Sequence, residues 1–217
     1  MYWQIVIATG VTPRVPEIEG IDHPSVVRYD EVLSGKVTVG QRVAILGAGG
    51  IGFDMAEYLV GDEDAARDPA RFLQDWGVDA SLAQPGGLSA DKAPSQPHTD
   101  RQVHVFQRKP EKPGATLGKS TGWILKAKLR KAQVAMVTGV HYERIDDEGL
   151  HYTLQGQRHC LPVDHVVLCT GQESNLSLMN TLKEAGITTQ AIGGAHIASE
   201  LDAVRAIDEG TRLGLRL

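Results

Sequence analysis

Two cysteines among 217 residues, Cys160 and Cys169, are too few for a disulfide framework, and their nine-position spacing leaves no Cys-x-x-Cys pair. Each stands in or beside an apolar run and is expected to be a buried, structural thiol. No run approaches the roughly 18 apolar residues of a membrane span. Met1-Tyr2-Trp3-Gln4 lacks the basic start of a secretory signal, so a cytoplasmic setting is expected. A basic surplus is missing too: 22 Lys and Arg stand against 27 Asp and Glu, a net charge of −5, which speaks against nucleic-acid or membrane partners. What the chain has in excess is glycine, 24 residues or about 11% against a usual share of about 7%. With 41% hydrophobic and 23% charged residues the chain is no disordered polymer, and its length suits one large domain or two small ones.

Strands alternate with helices along the chain. Residues 4–10 read as a buried strand, and 11–30, with Pro13, Pro16 and Pro24, as an irregular connector. Arg42–Leu46 is a short apolar run of the buried parallel type, followed by helical spacing at Met55, Ala56, Leu59 and Val60. Residues 61–101 form a polar insertion holding one helix, from Pro69 in its first turn to Trp76, stopped by Gly77. Further strands are expected at 103–106, 134–137 and 166–169, with a helix over 121–132 between the first two. Segments 140–145, 150–155 and 158–163 read as an antiparallel meander. A last helix is expected over 199–215, with Ser199 and Asp202 as a capping box. Phe72, Trp76 and Trp123 are expected to be packing residues.

The most informative motif is Gly47-x-Gly49-x-x-Gly52, placed directly after a strand and opening a helix. Gly47 allows the tight turn, Gly49 lets backbone approach a pyrophosphate, and Gly52 lets helix and strand pack closely. The free amides and positive dipole end of the helix then face the phosphates. Gly47, Ala48, Gly49, Gly50, Ile51 and Gly52 are therefore assigned to cofactor binding. The strand at 103–106 ends in Gln107-Arg108-Lys109 instead of the acid that accepts from a ribose 2′-hydroxyl. Two cations there suit a 2′-phosphate, so NADP(H) is favoured. Gly114 to Ser120 imitates a phosphate loop but is one residue too short, leaving Lys119 as an auxiliary phosphate contact. The eight histidines never fall at helical metal-ligand spacing, three of them (His141, His151, His159) lie on the meander, and no metal site is expected.

Two more strand ends match one another, Ile7-Ala8-Thr9-Gly10 and Leu168-Cys169-Thr170-Gly171. With the central glycine motif between them, they resemble flavoprotein reductases in which an NAD(P)H domain is inserted into an FAD domain. Within that group the residues Ala48 to Asp54, Trp76-Gly77, Gln107-Arg108-Lys109, Leu117 to Trp123 and Ile192-Gly193-Gly194 resemble the bacterial 2,4-dienoyl-CoA reductase family, over essentially the whole chain but only the C-terminal part of that enzyme. The resemblance implies NADPH, FAD, FMN and an iron–sulfur cluster, with hydride passing from NADPH to FAD and FMN reducing the dienoyl-CoA in a separate barrel, in unsaturated fatty-acid β-oxidation. It adds Thr170 and Gly171 to the NADP(H) contacts and places Ala8, Thr9, Gly10, Gly193 and Gly194 on the FAD side. Two cysteines do not supply four cluster ligands, so FMN and the cluster belong to the part outside this chain, and the chain's start falls inside an FAD-domain strand. Gly194-Ala195 stands where many FAD enzymes have Gly-Asp.

These readings converge on an α/β protein: a Rossmann-like NAD(P)-binding domain with a parallel sheet and a small antiparallel meander, flanked by partial FAD-domain segments. The expected division is 1–36 as FAD-domain remnant and connector, 37–170 as the NADP(H) domain, and 171–217 as a second remnant. Expected partners are NADP(H), the remainder of the flavoprotein, and further copies of the chain through the exposed remnant. Alternatives are an amine-dehydrogenase-type domain without a nicotinamide cofactor and a dinucleotide-binding module without hydride transfer. A disulfide reductase is excluded by the missing cysteine pair.

Overall fold

The computed structural model describes residues 4–62, 67–89, 99–199 and 201–217. In chain order the elements are β1 (Ile5–Ile7), β2 (Val11–Pro13), β3 (Val26–Arg28), α1 (Tyr29–Leu33), β4 (Arg42–Leu46), α2 (Gly50–Val60), α3 (Pro69–Asp75), β5 (Gln102–Gln107), α4 (Gly122–Lys131) and β6 (Ala135–Thr138). There follow β7 (Val140–Asp146), β8 (Gly149–Leu154), β9 (Gln157–Leu161), β10 (His165–Leu168), β11 (Gln172–Ser174), α5 (Ser177–Glu184), β12 (Thr189–Ala191) and α6 (Ala203–Gly214). The chain divides into two units, 17–169 and the pair of segments 1–16 and 170–217.

The larger unit is built on a five-stranded sheet in the order β3-β10-β4-β5-β6, parallel throughout. Strand β4 is central because Val43, Ala44, Ile45 and Leu46 are all apolar and fully buried, as a strand covered on both faces must be. The period-2 alternation of a strand sorts them by face. Val43 and Ile45 join the cluster formed with Phe53, Met55 and Leu59 of α2 and Leu129 of α4. Ala44 and Leu46 join Val140, Ile145 and Leu150 of the antiparallel β7-β8-β9 meander, with Phe106 between. Helices thus cover one face of the sheet and the meander covers the other. The fold is the expected α/β class, with a parallel sheet and a small antiparallel one.

The smaller unit holds two short pairs, β1 with β12 in parallel and β2 with β11 antiparallel. Its last helix, α6, buries Leu213 but leaves Val204 and Ile207 more than 60% exposed, as is Leu215 just beyond it. Among the described residues no helix is long and apolar enough to cross a membrane.

Several expectations are corrected. The proline-rich 11–30 stretch is not wholly irregular: it contains β2 and β3, and β3 pairs with β10. Residues 17–36 accordingly pack in the larger unit and not with the N-terminal segment. The strand at 4–10 shrinks to three residues, of which only Ile7 is buried. The last helix begins at Ala203, since Asp202 takes the cap, its Oδ1 accepting from Arg205 N at 2.8 Å. Cys160 is exposed on the edge strand β9, while Cys169 is buried as expected. Trp123 is also largely exposed, and Phe72 is about half exposed with its ring against Trp76.

Candidate functional site

Strand β4 delivers the chain into the glycine turn at its C-terminal end, beside the ends of β5 and β10. Strand β10 lies on one side of β4 and β5 on the other. The glycine turn therefore opens at the carboxyl edge of the parallel sheet, the edge at which α/β sheets take their ligands. Gly47 has φ +119°, the left-handed side that a side chain resists, and its N–H donates to Phe106 O at 2.9 Å, pinning the turn to β5. A Cβ on Gly52 would lie 1.9 Å from Gly47 O, so helix and turn touch there. By contrast, Cβ atoms on Gly49 or Gly50 would meet nothing within 4 Å. The two glycines contribute an open approach to bare backbone.

Helix α2 starts at that opening. Gly49 is its N-cap, no side chain caps it, and the first helical bond runs from Phe53 N to Gly49 O. The amides of Gly50, Ile51 and Gly52 therefore lack helical acceptors and point out of the helix at its positive end. An anion fits that arrangement, and the absence of Cβ atoms fits one as broad as a pyrophosphate. Ala48, buried in the turn, accepts at its carbonyl from Gly114 N at 3.3 Å. Gly114 is itself buried, and a Cβ there would stand 2.8 Å from Phe53 Cζ. The loop that imitates a phosphate motif is a prop for the glycine turn. Cys169 lies beneath the turn: its N–H donates to Leu46 O, its Cβ is 3.7 Å from the built Cβ of Gly52, and burial pushes its thiol up to about 12. Sequence reasoning missed both supports because they depend on contacts between distant segments.

Arg108 and Lys109 leave the C-terminal end of β5, one strand across from the glycine turn, and both are exposed. Among the described residues neither forms an ion pair. Arg108 lies close enough to Tyr142 for its charge to oppose the rise that burial imposes on that phenol. Gln107 shapes the turn, its Nε2 donating to Lys109 O and Glu111 O. Lys119 is exposed in the loop that carries Gly114, and no hydrogen bond or ion pair among the described residues ties it to the glycine turn.

Thr170 and Gly171 fall in the smaller unit, where they bind Arg14. Thr170 O accepts from Arg14 Nε at 3.0 Å and Nη2 at 2.6 Å, and the Thr170 hydroxyl donates to Arg14 O. Of the five FAD-side residues, Ala8, Gly10, Gly193 and Gly194 border one cavity of about 460 Å³, walled by Ile192 and by the start of α6 at Asp202, Ala203 and Ala206. Thr9 does not line it, its hydroxyl donating to Asn175 O. Gly194 is held tightly, a Cβ there reaching 2.8 Å from Val11 Cγ1. The Gly193 N–H is already taken by Glu209 Oε2 at 2.7 Å.

A family model described as pyridine nucleotide-disulphide oxidoreductase matches residues 1–205. The chain belongs to that family. The family is one of FAD- and NAD(P)H-binding oxidoreductases. Among curated relatives, a metal reductase of Desulforamulus reducens is 27% identical over 183 residues, covering 83% of this chain and 26% of that protein. Among solved structures, a 2-naphthoyl-CoA reductase in complex with 2-naphthoyl-CoA matches with a TM-score of 0.73 at 21% identity, over 99% of this chain and 27% of the other. A histamine dehydrogenase from Rhizobium sp. 4-9 matches with a TM-score of 0.63 at 17% identity, over 99% and 30%. At such identities the structures establish the fold. The chain spans about a quarter of the length of the curated relatives it matches.

Proposed function

We propose that this pyridine nucleotide-disulphide oxidoreductase domain binds NADPH and positions it for a flavin, as the NADPH-binding part of a 2,4-dienoyl-CoA reductase acting in unsaturated fatty-acid β-oxidation. One observation carries the nucleotide assignment. The open, uncapped start of α2 at Gly49 and Gly50 lies one strand away from two cations, Arg108 and Lys109, that no carboxylate among the described residues neutralises. The amides of Gly50, Ile51 and Gly52 hold the pyrophosphate. Arg108 grips the 2′-phosphate through its planar fork while Lys109 adds a point charge. When bound, the nicotinamide supplies hydride and FAD accepts it; the chain supplies orientation and electrostatics.

The dienoyl-CoA identity rests on the resemblance of Ala48 to Asp54, Gln107 to Lys109, Leu117 to Trp123 and Ile192 to Gly194, and the naphthoyl-CoA reductase among the solved structures is compatible with it. On this reading the cavity beside Gly10, Gly193 and Gly194 receives part of the FAD, while FMN and an iron–sulfur cluster belong to the rest of the flavoprotein. An amine-dehydrogenase-type domain, the second reading, would have no use for Arg108 and Lys109.

Thermal unfolding with NADPH, NADH or ADP tests the nucleotide assignment. A ligand present at 100 times its Kd adds about 2.7 kcal/mol of stability. NADPH is expected to give the largest shift at equal concentration, and Arg108→Glu is expected to erase its margin over NADH. Equal shifts for the two nucleotides in the unaltered chain would refute the 2′-phosphate assignment, and no shift with either would refute nucleotide binding.

A further inference from the structure

We propose that the β7-β8-β9 meander carries a site for one thiophilic divalent cation of the zinc or cadmium class, ligated by Cys160 Sγ, His151 Nε2 and a Glu148 carboxylate oxygen, with Asp146 as fourth ligand. The site lies apart from the nucleotide turn and does not depend on that assignment.

Strand register creates it. His151 on β8 sits directly opposite Cys160 on β9, and Arg144 on β7 sits opposite His151. Residues paired in this way project to the same side of a sheet. The β7–β8 turn then brings Asp146 and Glu148 to the same place. Cys160 Sγ is 3.7 Å from His151 Nε2, Glu148 Oε2 is 3.8 Å from that nitrogen, and the three ligand atoms all lie within 4.8 Å of one another. Ordinary zinc bond lengths at tetrahedral angles require separations of about 3.6 Å for S···N and about 3.4 Å for N···O. The two contacts to nitrogen are within a few tenths of an ångström of those values before any ion draws them in. Asp146 Oδ1, at 2.8 Å from Nε2, already faces the same point and needs to open slightly to ligate.

The chemistry of the donors selects the ion. One sulfur, one imidazole nitrogen and two carboxylates form a mixed set for a borderline or soft cation, whereas Mg²⁺ and Ca²⁺ want oxygen throughout. His151 is buried at 8% exposure while Cys160 and Glu148 are exposed, so the rigid ligand is held from within and the ion enters from solvent. The guanidinium of Arg144 opposes a cation here. Its Nη2 lies 3.4 Å from His151 Nε2 and its Nε donates to Asp146 Oδ2, so an entering cation has to displace the guanidinium, which is 44% exposed and has water to move into. The chain's other thiol, Cys169, is buried at the end of the β10 strand and does not compete.

The test is titration of the full, reduced chain with Co²⁺, followed by displacement with Zn²⁺ or Cd²⁺. One equivalent is expected to bind with a sulfur-to-cobalt charge-transfer band, to be displaced by Zn²⁺ and Cd²⁺, and to resist Mg²⁺. Cys160→Ser is expected to remove the band, and both it and Glu148→Gln to weaken binding at least about tenfold, the size of loss seen even for outer-sphere partners. Both side chains are exposed, so the metal-free variants should unfold at the temperature of the unaltered chain. A band that survives in Cys160→Ser, or saturation by none of the three ions at millimolar concentration, overturns the site.

Discussion

At the scale of single residues, the glycine turn separates two uses of a missing side chain. Gly52 is glycine because a Cβ would collide with the Gly47 carbonyl oxygen, a backbone atom that cannot step aside. Gly49 is glycine with open space around it, at an ordinary φ of −83°. Gly52→Ala should therefore cost about 3 kcal/mol or more, at the upper end for overpacking. In a chain of this size that lowers Tm by roughly 6–12 °C. Gly49→Ala should stay within about 1 kcal/mol, the cost of a poorer N-cap, yet weaken NADPH binding, because its methyl would fill the open space proposed for the pyrophosphate. Calorimetry and nucleotide titration on the two variants read the two roles separately; the same pattern for both would refute the division. The motif was legible because spacing along one chain is visible in sequence. The Gly114 prop, the Cys169 floor and the cluster of Glu148, His151 and Cys160 were not. Each depends on which strands pair or which loops fold back, and a search for helical histidine spacing passes over ligands facing each other across strands.

Single elements show where local pattern suffices and where it fails. Strand β4 matches its expected bounds to the residue, since four fully buried apolar positions follow Arg42 and a glycine turn ends the run. The α3 helix also follows its local signals, with Asp68 capping it ahead of Pro69 and a left-handed Gly77 just beyond. Residues 172–191 show no secondary-structure pattern in the sequence although they hold β11, α5 and β12. The two strands are three residues each, α5 is eight, and none contains a fully buried residue, so neither period stands out. Strand β4 is also anchored at its start by Asp164, whose carboxylate accepts from Gln41 N, Arg42 N and the Arg42 guanidinium. The Arg42 side chain first, and the backbone amides with it, hold this carboxyl down at about 2. A depressed folded-state pKa adds stability that is complete above the unfolded value, near 4, and fades as pH falls toward 2. Asp164→Asn should thus be less stable than the unaltered chain at pH 6, with the gap closing below pH 4. Urea unfolding of both proteins across that range measures it; a gap independent of pH would show that Asp164 does not act through its charge.

For the whole molecule, the two crossings of the chain decide what can stand alone. Segments 1–16 and 170–217 meet at β2 and β11, where Arg14 and Thr170 exchange side-chain and backbone bonds. Those segments contribute only two-stranded pairs, too little sheet for independent stability. Residues 17–169, by contrast, are one continuous stretch containing the five-stranded sheet, the meander and both clusters of buried side chains. Gly47, Gly49, Gly52, Arg108 and Lys109 all lie inside it. A chain cut to 17–169 should therefore fold cooperatively and bind NADPH with the affinity of the full chain, as judged by calorimetric titration. The outcome also apportions the expected contacts. If Thr170 and Gly171 touch the nucleotide, the shorter chain binds it more weakly; if they serve only the crossing with Arg14, affinity is unchanged. The bonds that occupy the Thr170 hydroxyl and carbonyl favour the second result. Failure of 17–169 to fold would mean that the larger unit is not self-sufficient despite its complete sheet.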